Sequence, residues 1–151
     1  MKGEVICEAL EKISDGTSKY VDEVGYDLIF MDKKIEVKTE KRLIKNNLDT
    51  KSIQLKNTRG TTQKFNKTFD YLLLINTEAP FIAALATWDE VHKNHTQTGD
   101  QIQCVLKSED LVLLTPKSGA IIGDKSKSTY HLKEYIRDGI RKWINGVCEE
   151  E

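Results

Sequence analysis

The sequence has few of the residues that interrupt or cross-link a chain. Its 151 residues include two prolines and three cysteines. No apolar stretch approaches the roughly 20 residues that a membrane span needs, so we expect no membrane partner. Cys7, Cys104 and Cys148 lie far apart and match no metal-ligand spacing, which favours reduced thiols and a cytoplasmic protein. The first ten residues carry acids within their apolar stretch, so we expect no signal peptide.

The length and the absence of Gly/Ser-rich linkers favour a single domain over residues 1–151. The net charge is only -1 at pH 7, which taken alone argues against a nucleic-acid-binding protein. However, the charge is unevenly distributed, because residues 33–67 contain eleven bases and three acids. Such a block suits contact with phosphate groups, although a solvated lysine-rich loop is the commoner explanation of lysine runs.

The hydrophobic pattern predicts an α/β domain with a mixed sheet. Two strands, over residues 24–31 and 34–40, are expected to form a hairpin. The continuous apolar run at 69–76 predicts a central strand buried on both faces. The other predicted elements are a helix over 2–13, strands over 80–86 and 110–115, a short helix capped by Thr87, and a final amphipathic helix over 129–147.

The predicted hairpin has one charged and one apolar face. If its turn centres on Asp32 and Lys33, Asp27 lies opposite Lys38. Because side chains alternate along a strand, Asp27, Glu36 and Lys38 then project from one face. The two carboxylates become diagonal neighbours, roughly 7–8 Å apart at the backbone. The predicted apolar face consists of Tyr26, Leu28, Phe30, Ile35 and Val37.

Two converging carboxylates beside a lysine suit the hydrolysis of phosphodiester bonds. Mg²⁺ takes oxygen ligands and keeps several waters, and it polarises a phosphoryl oxygen and lowers the pKa of a bound water. A lysine ammonium stabilises charge at the scissile phosphate or orients the attacking water. An ordinary solvated hairpin with cross-strand ion pairs is the alternative. The adjoining basic block and the apolar strands around the acids favour the catalytic interpretation.

The run GYDLIFMDKKIEVKT resembles the core of the PD-(D/E)XK nucleases, which have the restriction-endonuclease-like fold. Asp27 matches the first acid of that family, and Glu36, Val37 and Lys38 match its (D/E)XK tripeptide. Tyr26 stands in place of the proline that gives the motif its name. The resemblance covers residues 1–76, in the order helix, hairpin, intervening segment and central strand.

The resemblance implies a restriction-endonuclease-like mixed β-sheet flanked by helices. It also implies a Mg²⁺-dependent endodeoxyribonuclease that cuts double-stranded DNA, usually as a homodimer or higher homo-oligomer, with Mn²⁺ able to substitute. Asp27, Glu36 and the Val37 carbonyl would be metal ligands, and Lys38 would be the catalytic lysine.

The family often places another acid on the preceding helix. Glu8 and Glu4 are the candidates here, one turn apart, and Glu8 is favoured because it lies nearer the edge of the apolar stripe. A solvated helix face is the alternative explanation for both acids.

Contacts to DNA are assigned to the segment from Lys41 to Lys67. Arginine suits guanine and bidentate phosphate contact, so Arg42 and Arg59 are the first candidates. Glutamines are suited to base edges, and lysines to phosphates. The residues expected to bind DNA are Lys41, Arg42, Lys45, Lys51, Gln54, Lys56, Arg59, Gln63 and Lys64.

The resulting hypothesis is a small site-specific endonuclease of the restriction or intron-homing type. A Holliday-junction resolvase is the alternative enzyme. A non-catalytic DNA-binding module with a vestigial site is the alternative from another class. A binding module has no need of Asp27, Glu36 and Lys38 on one face, so these residues discriminate between the classes.

Overall fold

The structure is a computed structural model that describes residues 18–23, 25–30, 32–57, 63–119, 136, 138 and 139. Strands form most of the regular structure in these residues. The strands are β1 (Ser18–Glu23), β2 (Tyr26–Phe30), β3 (Lys33–Glu40), β4 (Ile53–Lys56), β5 (Tyr71–Asn76), β6 (Ala83–Thr87), β7 (His95–Thr98), β8 (Gln101–Cys104) and β9 (Val112–Leu113). Helix α1 (Trp88–Lys93) follows β6, and a 3₁₀ turn spans Ser108–Asp110.

The strands form two sheets. The main sheet has six strands in the order β1-β2-β3-β5-β6-β9, and the second sheet has three in the order β4-β8-β7. In the main sheet β3 and β5 run parallel, whereas every other neighbouring pair is antiparallel. The predicted mixed sheet is therefore confirmed, and the α/β class is compatible with the described elements, although only one short helix lies beside the sheets.

The helices contribute little to the described part of the chain. Beyond α1, residues 136, 138 and 139 are helical, and Ile136 is fully buried, as the predicted apolar stripe requires. The predicted helix over 2–13, with Glu4 and Glu8, lies outside the described residues. Within those residues, no helix is long and apolar enough to cross a membrane.

Strand β5 lies at the centre of the fold and is buried at all six positions, as its continuous apolar sequence predicts. Its alternate side chains enter two hydrophobic clusters on opposite faces of the main sheet. Leu73 and Ile75 belong to the first cluster, and Leu72 and Leu74 to the second. The second cluster also contains Leu55, Ile102 and other buried residues of the second sheet. The second sheet therefore packs over one face of the main sheet.

The sequence pattern does not predict the second sheet. Its strands have four residues each, and β7 has the polar sequence HTQT. Strand β4 alternates buried and exposed residues, but over too short a run to stand out from the surrounding lysines. These strands form because distant segments pair, which local periodicity does not report.

Other boundaries also differ from the predictions. Strand β1 is not predicted at all, and the strand predicted over 110–115 contracts to Val112–Leu113. The short helix is correctly predicted, because the Thr87 hydroxyl accepts a hydrogen bond from the Glu90 amide at 3.2 Å. This contact satisfies one of the free N–H groups in the first turn.

Candidate active site

The hairpin of β2 and β3 carries the candidate site in a register that differs from the predicted one. Phe30 pairs with Lys33 and Leu28 with Ile35, so the paired strands are two residues apart in the sequence. Asp32 has a φ of 66°, the left-handed conformation that two-residue hairpin loops favour. Because Lys33 already belongs to β3, the predicted turn at Asp32 and Lys33 is wrong.

The observed register is displaced by two residues from the predicted one. Each side chain therefore stays on its predicted face of the hairpin but has a different partner on the other strand. Continuing the observed ladder sets Asp27 against Glu36, whereas the prediction sets Asp27 against Lys38. The two acids are thus direct rather than diagonal neighbours. The correction brings them closer together than the predicted register would.

The apolar face of the hairpin is predicted correctly except at its end. Leu28, Phe30, Ile35 and Val37 are all buried in the first cluster. Tyr26 packs instead against the second cluster, and the Lys34 ammonium lies 5.1 Å from the centre of its ring.

Asp27 is held by the backbone of the neighbouring strand. Its Oδ2 atom accepts a hydrogen bond from the Val37 N–H at 2.9 Å. A carboxylate that bonds a backbone amide is fixed in orientation and keeps lone pairs for a second partner. Asp27 is therefore positioned by the same strand that carries Glu36 and Lys38.

The two carboxyl groups form an electrostatically coupled pair. Burial, a hydrogen bond to the Asp27 side chain and the charge of Asp27 together raise the pKa of Glu36 to about 8, against a smaller lowering by Lys38. Close carboxylates share a proton when no cation neutralises them. The pair is consequently a site where positive charge is favoured.

Glu36 and Lys38 open into a narrow cavity between the two sheets. The cavity has a volume of about 140 Å³ and is also lined by Leu55 and Lys56 of β4. Phe65, Phe69, Thr68 and Gly25 complete its wall. The cavity is thus lined by both apolar side chains and two lysines.

Gly25 has a specific steric role in this wall. Its φ is +100°, and a Cβ atom added there would lie 2.5 Å from the Thr68 Cβ. Only glycine fits both the conformation and the close approach.

A larger cavity adjoins the site. It has a volume of about 470 Å³ and is lined by Lys38, Gln54, Leu55, Lys56, Asp100 and Gln101. Lys38 therefore lies between the acid pair and an open surface of the second sheet.

The described residues provide two acids for a metal site and no third. Within them, no group of three Asp, Glu, His or Cys side chains is placed to hold a metal ion. Glu8, the predicted third acid, lies outside the described residues. Val37 is predicted to contribute its carbonyl, and its observed contact is the N–H bond to Asp27.

The residues predicted to bind DNA separate into two groups. Gln54 and Lys56 are exposed on β4 and line the larger cavity beside Lys38. Arg42, Lys45 and Lys51 are exposed and line a separate cavity of about 450 Å³.

The other predicted DNA-binding residues are more dispersed. Lys41 is exposed and forms a 3.8 Å ion pair with Glu78. Gln63 and Lys64 are exposed beside the second sheet, and the Gln63 carbonyl accepts a hydrogen bond from Gln97. Arg59 lies outside the described residues.

The segment after β3, which carries the second basic group, is fixed by a buried amide. The Asn76 side chain accepts a hydrogen bond from the Ile44 N–H at 2.7 Å and donates to the Ile44 carbonyl at 3.0 Å. Its amide nitrogen also donates to the Pro80 carbonyl at 3.1 Å. The backbone around Arg42 and Lys45 is thus anchored to the end of β5.

Sequence reasoning missed Asp100 and Gln101 at the site. Asp100 follows Gly99 in the turn between β7 and β8, and Gln101 begins β8. Both line a cavity with Lys38 only because the second sheet packs over the main sheet. The Gly-Asp pair between polar residues was the available signal for a hairpin there. Nothing in the local sequence indicated that the hairpin lies beside the acids.

Comparisons of the chain with family models, with curated proteins and with solved structures give no match. The function is therefore argued from the geometry of this chain.

Proposed function

We propose that this protein is a divalent-metal-dependent endodeoxyribonuclease of the PD-(D/E)XK type, with the restriction-endonuclease-like fold. The observation that carries the proposal is the register that sets Asp27, bonded to the Val37 N–H, opposite Glu36 on the adjacent strand, with Lys38 two residues beyond Glu36 on the same face. An acid pair and a lysine on one face of a hairpin are the minimum that metal-assisted phosphodiester hydrolysis requires.

The donor set suits a hard divalent cation. Asp27 and Glu36 would hold Mg²⁺ or Mn²⁺ through carboxylate oxygens, with the Val37 carbonyl as a further oxygen ligand and water in the remaining positions. When bound, the ion supplies Lewis-acid polarisation of the phosphate and a water of lowered pKa.

The chain's own residues perform the positioning. Asp27 is oriented by the Val37 N–H, so that its carboxylate stays against Glu36. Lys38 lines both cavities and is placed to stabilise negative charge on a phosphate entering from the larger one. Phe65, Leu55 and Phe69 line the inner wall and limit the access of bulk water.

The surrounding charge supports a polyanionic substrate. Lys56 lies in both cavities with Lys38. Arg42, Lys45 and Lys51 form a second exposed basic group. Lysines that neutralise phosphates give affinity that falls steeply with salt.

The test is cleavage of supercoiled plasmid DNA. We expect cutting with Mg²⁺ and none with EDTA. Glu36→Ala and Lys38→Ala should each reduce the rate by at least about a hundredfold, while binding of duplex DNA at low salt persists. Binding without cutting in the parent would favour the module with a vestigial site.

An exposed acid and an exposed lysine away from the cavity provide matched controls. Glu40 is an exposed acid at the end of β3, and Lys93 is an exposed lysine in the last turn of α1. Glu40→Ala and Lys93→Ala should cut at the parental rate. Parental cutting by Glu36→Ala would refute the assignment of the site.

A second substrate series separates the enzyme classes. Discrete fragments from a randomised linear library would support a site-specific restriction or homing enzyme. Preferential cutting of a four-way junction would support a Holliday-junction resolvase instead.

A further inference from the structure

The outward face of the second sheet is a contiguous set of polar side chains. Strands β4 and β8 turn alternate residues to solvent, whereas Thr96, Gln97 and Thr98 of β7 are all exposed. We use the name outer face for the six exposed residues that the strand registers set on one side of the sheet. It consists of Gln54, Lys56, Thr96, Thr98, Gln101 and Gln103.

The strand registers arrange these six side chains in two rows. Gln54 pairs with Gln103, which pairs with Thr96. In the next row Lys56 pairs with Gln101, which pairs with Thr98. Directly paired side chains on one face of a sheet lie about 5 Å apart, so the rows form a continuous surface.

The opposite side of this sheet accounts for its stability. Ile53, Leu55, Ile102 and Cys104 are buried in the second cluster. The outer face therefore contributes little to the stability of the fold. Its side chains can be of types suited to binding another molecule. A merely solvated sheet face usually mixes charges of both signs, whereas none of these six residues is acidic.

The hairpin that carries most of the outer face is held in place from the side. The Gln97 amide donates to the carbonyls of Gln63 and Gly99, at 2.8 and 3.0 Å. The Asn57 N–H donates to the Asp100 carbonyl at 2.7 Å. These bonds connect the β7–β8 turn to the segment after β4, which favours a rigid recognition element over a loose loop.

We propose that the outer face reads base edges in the major groove of duplex DNA, with the β7–β8 hairpin inserted in the groove. The inference rests on the proposed function, because it takes duplex DNA as the substrate. The major groove admits a two-stranded ribbon. Gln101 and Gln103 are the residues that read adenine, since glutamine bonds N6 and N7 of adenine in a bidentate manner. Thr96 and Thr98 contact thymine methyl groups.

The charge of Lys56 and the continuity of the outer face with the cavity at Lys38 both favour duplex DNA as the ligand. Lys56, at the corner of the outer face, is placed for a phosphate at the groove wall. The 470 Å³ cavity joins Gln54, Lys56 and Gln101 to Lys38, so DNA held on the outer face has a backbone beside the proposed catalytic lysine. Asp100 also lines this cavity, and its carboxylate would face a cytosine amino group rather than a phosphate.

The test is selection of bound sequences from a randomised duplex DNA library in EDTA, where no cutting occurs. We expect the full-length parent to enrich a motif that contains adenines. The double variant Gln101→Ala/Gln103→Ala should lose the adenine preference by about tenfold per position. Its non-specific affinity at low salt should remain, because lysines supply that term.

Asn66→Ala is the matched control, since it removes an exposed amide side chain that lies outside the outer face. It should enrich the parental motif. Circular dichroism of all three proteins establishes that they fold alike. If the double variant misfolds, Gln101→Glu and Gln103→Glu replace it and should shift the preference from adenine towards cytosine.

Three results would overturn the inference. They are a parent that binds duplex DNA with no sequence preference, a double variant that enriches the parental motif, and duplex RNA that competes as well as DNA, since side chains cannot read the narrow major groove of RNA. Failure of the proposed function has a different signature, namely the expected enrichment without Mg²⁺-dependent cutting.

Discussion

The Asp27 carboxylate of β2 and the Val37 amide of β3 are joined by a 2.9 Å hydrogen bond. The side chain thereby takes a place that a backbone carbonyl usually fills, and it closes the hairpin ladder beyond the pair of Leu28 and Ile35. Asp27 thus has a structural role and a proposed chemical role. Substitutions at this position should separate the two.

Asp27→Ala and Asp27→Asn should differ in stability but not in activity. The alanine variant leaves the Val37 N–H without its partner, and we expect about 1–3 kcal/mol of lost stability. The asparagine variant keeps an acceptor and should unfold near the parental urea midpoint. Both should lose plasmid cutting, because one anionic ligand is gone. Parental cutting by Asp27→Asn would contradict the role of Asp27 as a metal ligand.

Without bound metal, the free energy of unfolding should decrease as the pH rises, because of Glu36. Its pKa is about 8 in the folded chain, against an ordinary value of 4.5. Between these pH values the folded chain binds more protons than the unfolded chain, so the free energy of unfolding decreases as pH rises. Glu36→Gln cannot ionise. Its stability relative to the parent should therefore increase from pH 5 to pH 9 in EDTA.

Urea unfolding at several pH values measures this difference, and titrating groups remote from the acid pair cancel between the two proteins. The exposed Glu40 provides the control, since Glu40→Gln should follow the parental curve. Parallel curves for the parent and Glu36→Gln would show that Glu36 titrates normally.

Asn76→Ala should destabilise the segment that carries Arg42 and Lys45. Asn76 is fully buried and its side chain makes three hydrogen bonds, to both backbone groups of Ile44 and to the Pro80 carbonyl. Removing it leaves buried backbone groups unpaired, so we expect a loss of about 2–4 kcal/mol. Asn66 is an exposed amide, and Asn66→Ala should change stability by no more than about 0.5 kcal/mol. Equal effects would mean that the Asn76 bonds carry no net stability.

Gly139→Ala should displace the C-terminal helical residues from the sheet. A Cβ atom at this position would lie 2.7 Å from the Leu114 Cβ and 3.0 Å from its Cα. We expect a loss of about 1–3 kcal/mol from this overpacking. In a double-mutant cycle with Leu114→Gly, the cost of Gly139→Ala should become smaller, because the Cβ atom that obstructs the added methyl group is removed. If Gly139→Ala lost the same stability in both backgrounds, its effect would not come from contact with Leu114.

The sequence allowed prediction of the features that depend on local pattern. The alternation in β2 and β3 separated Asp27 and Glu36 from the apolar face, and the apolar run identified β5. Thr87 indicated the start of α1 through its capping chemistry. In each case the interacting residues lie within a few positions of one another, or the apolar composition of the strand indicates its burial.

The features that depend on turn geometry or distant pairing were not predictable in the same way. The hairpin register depends on the left-handed conformation of Asp32. The sequence alone does not distinguish this turn from one centred a residue later. The second sheet joins β4 to strands about fifty residues away, and Gln101 and Gln103 gain their significance only from that pairing. Residues 58–62, with Arg59, lie outside the described part of the chain.

Cation binding by the acid pair is the central claim, and Mn²⁺ titration followed by electron paramagnetic resonance tests it most directly. We expect the parent to bind Mn²⁺ and Mg²⁺ to compete for the same site. Glu36→Gln should weaken Mn²⁺ binding at least about tenfold, while Glu40→Gln should leave it unchanged. Equal Mn²⁺ affinity for the parent and Glu36→Gln would contradict the claim that Asp27 and Glu36 together hold the metal.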